Sequence, residues 1–185
     1  MVSLPPPDGI LSSPGSVPPS AAKEPVGTSI ASVHSSAVAD VTWETCSLRK
    51  WLNGPFLNAA FSTEEQAQIQ STIVSADKNP KYSTNPGNAT TDKVFLLSIN
   101  EVEKYFSSDE DRKCVPTEYA IAQGAAWTPD SYTCCWWLRS PGEYQSDAAG
   151  VISVGSVYYS GVRVDDDAGC VRPALWIDFL VDFFR

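Results

Sequence analysis

Every Trp, Tyr and Phe of this chain lies at or after position 43. Residues 1–40 hold instead seven of the 14 prolines, nine serines, four charged residues and no aromatic. A segment without large apolar side chains buries too little surface to offset the entropy cost of ordering it. The composition therefore predicts a disordered Pro/Ser-rich segment over 1–40 and one folded domain over 41–185, with the boundary near Asp40.

Charge and hydropathy narrow the partners. The formal net charge is −9 and the sequence pI about 4.5, so neither nucleic acid nor an anionic membrane finds an electrostatic grip here. No window is long and apolar enough for a transmembrane helix, and no basic, apolar leader opens the chain, which makes the cytoplasm the default compartment. The single histidine, His34, falls in the segment read as disordered. The domain thus has no imidazole for a Ser-His-Asp or Cys-His system. Its five cysteines are odd in number and lack a Cys-x-x-Cys pair, so buried free thiols are the reading. Asn88-Ala89-Thr90 matches a glycosylation sequon by pattern, which carries meaning only where a secretory route exists, and it is set aside.

Local signals give helices first and strands later. Apolar spacing over Leu48–Leu52 predicts a short helix capped by Ser47 and stopped by Asn53-Gly54 before Pro55. Ser62-Thr63-Glu64-Glu65 is a capping box opening a helix to about Thr72, and residues 75–92 form a long turn-rich loop. Lys93–Leu97 is apolar and strand-length, and Ser98-Ile99-Asn100-Glu101 is a second capping box. Another helix is expected between Pro116 and Gly124. From Trp136 to Ile177 the chain alternates, with glycines at turn-like intervals, as antiparallel hairpins do. The class is α+β.

Four stretches fall in an order that carries a resemblance: Trp43-Glu44-Thr45-Cys46-Ser47-Leu48-Arg49-Lys50-Trp51-Leu52-Asn53-Gly54, Thr91-Asp92-Lys93-Val94-Phe95-Leu96-Leu97-Ser98, Trp136-Trp137-Leu138-Arg139-Ser140-Pro141-Gly142 and Val171-Arg172-Pro173-Ala174-Leu175-Trp176. Over about 40–178 the chain resembles the bacterial DUF6273 family of uncharacterised domains. Through its Leu-Arg-Ser-Pro-Gly and Val-Arg-Pro-Ala-Leu words, that family is similar to the C-type-lectin-like fold of formylglycine-generating enzymes and of retroelement-diversified proteins. The resemblance implies further strands ahead of Trp43, which the Pro/Ser-rich stretch replaces here, leaving an open edge beside Leu175–Ile177. Cys170 stands where the family has Gly, and the tail Phe179–Phe184 runs past its usual end.

The candidate chemistry follows. Asp165, Asp166 and Asp167 offer hard oxygen ligands for Ca²⁺, against the alternative of a solvated acidic turn matching no EF-hand pattern. The resemblance invites comparison of Cys134, Cys135 and Cys170 with a copper-holding thiol pair, against structural thiols. Arg139 and Arg172 are read as loop clamps needing carboxylate or carbonyl partners, with Asp92 and Asp178 as candidates. Trp136 and Trp137 face opposite sides of a strand, so one enters the core and Trp137 is taken as displayed. The Tyr/Ser/Asp/Gly stretch from Glu143 to Asp167 uses a paratope alphabet, and in proteins of similar fold it is the variable ligand-binding surface. Trp137, Tyr144, Asp147, Tyr158, Tyr159 and Arg163 are accordingly the candidate binding residues for a protein or glycan, by a module that is not an enzyme. The alternatives are an enzyme or remnant related to formylglycine-generating enzymes, or a truncated member without activity.

Overall fold

The computed structural model describes residues 40–166 and 169–178. The expected disorder of 1–40 and the tail Phe179–Phe184 therefore lie, Asp40 aside, outside the described residues. Among the described residues packing begins at Val41, whose amide donates to the Gln145 carbonyl at 3.1 Å.

The first helix, α1 (Ser47–Trp51), is capped by Cys46 rather than Ser47, its sulfur accepting from the Arg49 amide at 3.4 Å. Asn53-Gly54 does not stop it. The chain widens into a π-helical stretch (Leu52–Phe56) and returns to α2 (Leu57–Ala60). Pro55 supplies no amide to the preceding turn, and a widened turn accommodates that loss without ending the helix. The capping box at Ser62 opens α3 (Thr63–Gln68), four residues shorter than expected at its far end. Ile69 and the run Thr72–Val74 are β-branched and go extended, so Thr72–Val74 becomes β1, antiparallel to β2 (Thr90–Asp92).

Lys93–Leu97 is buried at four of its five positions, as an apolar run should be, but it is not a strand. Its backbone is satisfied piecemeal. Asn53 Oδ1 accepts from the Lys93 and Val94 amides at 2.8 and 3.0 Å, while Asn53 Nδ2 donates to the Val94 carbonyl at 2.7 Å. Phe95 exchanges amide and carbonyl with Ala174, and Arg139 binds the Leu96 and Leu97 carbonyls. Side chains and isolated main-chain bonds together do here what a neighbouring strand would do elsewhere. The second capping box opens α4 (Ile99–Tyr105), followed by α5 (Asp109–Arg112) and α6 (Glu118–Ala122), the last capped by Thr117 and starting two residues past Pro116.

A two-residue pair, β3 (Trp127–Thr128) with β4 (Thr133–Cys134), precedes a three-stranded meander of β5 (Trp136–Pro141), β6 (Asp147–Val151) and β7 (Val157–Arg163). Every residue of β5 is buried, Trp137 included at 3 % exposure. The expectation of a displayed indole fails because the strand is covered on both faces. β6 is bulged against both neighbours, and at Gly161 (φ +74°) a Cβ would lie 2.4 Å from the Ala148 carbonyl oxygen. Only glycine fits that crossing.

Past Arg163 the expected strands give way to isolated bridges, since Pro173 carries no amide for a ladder. Cys170 bridges Trp136, Ala174 bridges Phe95 and Ile177 bridges Ile69. The Gln70 amide donates to the Trp176 carbonyl and the Asp178 amide to that of Gln68. The backbone around Leu175–Ile177, expected to lack a partner, is thus paired with the chain just after α3. Leu48, Leu52, Phe95, Leu96, Ile99, Val102, Trp136 and Leu138 form the centre of the core, each such burial contributing about 1.5–3 kcal/mol.

Candidate functional site

The long loop 75–89 does not hang free. It wraps the β5–β6 turn and β7, and its own polar side chains make the attachment. Asn79 Nδ2 donates to the Pro141 and Tyr159 carbonyls, both at 2.8 Å, with Asn79 only 3 % exposed. Thr84 donates to the Gly142 carbonyl at 2.6 Å, and the Tyr82 and Ser160 hydroxyls meet at 2.8 Å. Gln145 accepts from the Asn85 amide and donates to the Asn85 and Val41 carbonyls. The Glu143 amide reaches across to the Ser160 carbonyl. Loop, turn and strand form one hydrogen-bonded surface on a fixed backbone.

On that surface the expected binding residues separate into two groups. Tyr144, Tyr158 and Arg163 are exposed, as is Val162 between them. Tyr159 is held instead: its hydroxyl donates to Glu103 and its ring lies under Lys81 Nζ at 3.6 Å from the centroid. That bond raises its pKa, since Glu103 favours the protonated phenol. Asp147 accepts from Ser146 and stands opposite Arg163 in the β6–β7 register. Trp137 is in the core and contributes nothing to the surface. Sequence reasoning missed Asn79, Lys81, Tyr82 and Thr84, although the turn chemistry of Asn79-Pro80 had marked the loop.

Of the acidic triplet, Asp165 gives both oxygens to Arg163, with Nε at 2.9 Å and Nη2 at 2.5 Å. The Asp166 amide donates to the Arg163 carbonyl, and Asp167 lies outside the described residues. Among the described residues no three His, Cys, Asp or Glu side chains converge as a metal-holding group. A cavity of about 20 Å³ beside Trp43, Cys46, Leu138 and Val164 has room for one water and is far too small for a ligand.

Arg139 is buried in a ring of acceptors: the Glu101 carboxylate, the Ser75 and Leu96 carbonyls at 3.2 and 2.8 Å, and Asp77 at 3.6 Å. Glu101 thereby serves both its own capping box and the arginine. Asp92, offered as a partner for Arg139 or Arg172, instead accepts from Arg49 Nε at 2.7 Å, Trp43 Nε1 at 3.0 Å and Thr90 Oγ1 at 2.5 Å. Arg172 lies over the Trp136 and Phe106 rings at 4.8 and 5.1 Å and donates to the Arg112 carbonyl at 3.4 Å.

The sulfurs are not evenly dispersed. Cys114, half-buried, and Cys134 and Cys170, both buried, lie within hydrogen-bonding reach, with Cys134 between the other two. The Cys134 S–H holds the Cys114 thiol down to about 7, helped by the Arg172 charge and opposed by burial. The same donor lowers Cys170, while Cys134 itself is pushed far up. Cys114 had not been singled out with the other thiols, because a residue 20 positions upstream gives no spacing signal.

These features define a small α+β domain whose polar loop is bonded onto a bulged antiparallel meander. The chain belongs to DUF6273, a family described as a domain of unknown function, whose model matches residues 23–179. The match begins inside the Pro/Ser-rich stretch, ahead of the first described residue. No curated protein and no solved structure matches the chain.

Proposed function

We propose that this domain is a recognition module of C-type-lectin-like architecture, not an enzyme, binding a protein or glycan through the surface of the β5–β6 turn, β7 and loop 75–89. The observation that carries this reading is the exposure of Tyr144, Tyr158 and Val162 on backbone fixed by the side chains of Asn79, Thr84 and Gln145. Aromatic side chains on a rigid frame lose little entropy when a partner covers them, and their amphipathic rings suit both glycan faces and protein hot spots. A glycan array and a display library of random peptides, probed with the full chain, test it. Binding should fall at least tenfold in the Tyr144→Ala/Tyr158→Ala variant with the near-UV spectrum unchanged. Ligands that bind that variant as well as the parent would overturn the assignment of this surface.

The meeting of Cys114, Cys134 and Cys170 favours a second reading, an enzyme or remnant related to formylglycine-generating enzymes with copper on a thiol pair. Cuprous ion titrated under anaerobic conditions should then bind one per chain and quench the Trp136 fluorescence; absence of binding removes this reading.

A further inference from the structure

Three segments far apart in sequence bring Cys114, Cys134 and Cys170 near one another, with Cys134 the neighbour of both others. Cys114 sits in the irregular segment after α5, Cys134 in β4, and Cys170 in the segment that bridges Trp136. The backbone fixes the meeting: the Cys134 amide donates to the Cys114 carbonyl at 2.9 Å, and the Cys170 amide to the Cys135 carbonyl at 2.8 Å. The Cys134 sulfur also lies 3.4 Å from the Cys114 carbonyl oxygen. The three thiols differ in access. Cys134 is 1 % and Cys170 8 % exposed, while Cys114 is half-buried and lies within the field of Arg172.

We propose that Cys114 and Cys134 form a dithiol–disulfide site, oxidised by a low-molecular-weight disulfide, in which Cys114 attacks, Cys134 resolves and Cys170 takes the proton from Cys134. A thiol that is accessible, beside a cationic group and next to a second thiol has the attributes of an exchange-active cysteine. In the first step the Cys114 thiolate attacks one sulfur of RS–SR. The S–S bond breaks, RS⁻ leaves with the electron pair and takes up a solvent proton, and Cys114 becomes a mixed disulfide. In the second step Cys134 passes its proton by way of the Cys170 sulfur to solvent and attacks the Cys114 sulfur, and the second RS⁻ leaves with the electron pair and takes up a solvent proton. Two protein thiols are oxidised and one RS–SR is reduced to two RSH, so electrons balance. Cys170, 8 % exposed, is a positioning residue that touches only the Cys134 proton. The new bond would close the chain over 115–133, which carries α6 and the β3–β4 turn with the exposed Tyr119, Ile121 and Tyr132.

The test uses the full chain, equilibrated across a series of reduced-to-oxidised glutathione ratios, acid-quenched and alkylated. Trypsin leaves both sulfurs in one peptide, because no Lys or Arg lies between Cys114 and Cys134, so a Glu-specific protease cutting after Glu118 is required. The expected product is a Cys114–Cys134 linked pair with Cys46 still reduced, and slower amide exchange across 115–133. In the Cys170→Ser variant the Cys114–glutathione adduct should accumulate at least tenfold. Overturning results are a series without the linked pair, or Cys170→Ser resolving as fast as the parent. The parent protein gives a variant-free check: iodoacetamide must modify Cys114 faster than the exposed Cys135 at pH 7, and the reverse order refutes the site.

Discussion

Asp92 is the acceptor on which the first third of the domain converges, and replacing it with alanine should cost about 3–5 kcal/mol. Its carboxylate is 1 % exposed and takes three donors, Trp43 Nε1, Arg49 Nε and Thr90 Oγ1. Removing one partner of a buried ion pair costs about 3–5 kcal/mol in general. Arg49 has 24 % of its side chain exposed and keeps a bond to the Glu44 carbonyl, so water relieves it and this term falls at or below about 3 kcal/mol. The Trp43 indole N–H has no such relief and adds about 1–2 kcal/mol. Urea unfolding followed by tryptophan fluorescence reads the loss. The double variant Asp92→Ala/Arg49→Leu should recover at least about 1 kcal/mol, because the stranded cation goes with it. A loss under about 1 kcal/mol in Asp92→Ala, or strict additivity in the double variant, would refute the idea that this carboxylate organises α1 and β2.

Three further perturbations probe other parts. Gly161→Ala adds the strain of φ +74° to a Cβ placed 2.4 Å from the Ala148 oxygen, and chemical denaturation should show a loss of about 2–4 kcal/mol with β7 amide exchange accelerated. Asn53→Ala removes the donor and acceptor that satisfy Lys93 and Val94 and should cost about 2–4 kcal/mol, whereas a loss near zero would mean that water replaces the side chain. Burial pushes the Cys46 thiol up from 9.0 to about 11, so above pH 9 the unfolded chain releases a proton that the folded one keeps. Its contribution is complete below pH 9 and is lost as pH rises to about 11. The unfolding midpoint should fall across that window, and Cys46→Ala should flatten the fall.

Both capping boxes were legible in the sequence because each is a local arrangement of four residues. The strand pattern from Trp136 to Arg163 was legible because alternation survives bulges of even length. What escaped were features made by distant side chains. Lys93–Leu97 has the composition of a strand, but whether it pairs depends on Asn53, forty residues away. Ser47 and Asn53-Gly54 looked like ends of a helix, yet a sulfur capped it and a π-helical stretch carried it through Pro55. For the site, the Tyr-rich stretch was visible, whereas the loop that fixes it and the burial of Trp137 depend on tertiary cover. The family words gave the arginines without their partners, since an arginine in a motif does not show which carboxylate will reach it.

The single bridges that fasten residues 170–178 to Ile69, Phe95 and Trp136 also bear on how the domain is made. Each joins parts of the chain separated by tens of residues, and the helices they hold are too short to persist alone. The core around Phe95 therefore stays unsealed until the segment through position 178 has cleared the ribosome. Until then its apolar interior is open to chaperones and to neighbouring nascent chains, so the yield of native protein depends on how soon residues 170–178 reach their partners.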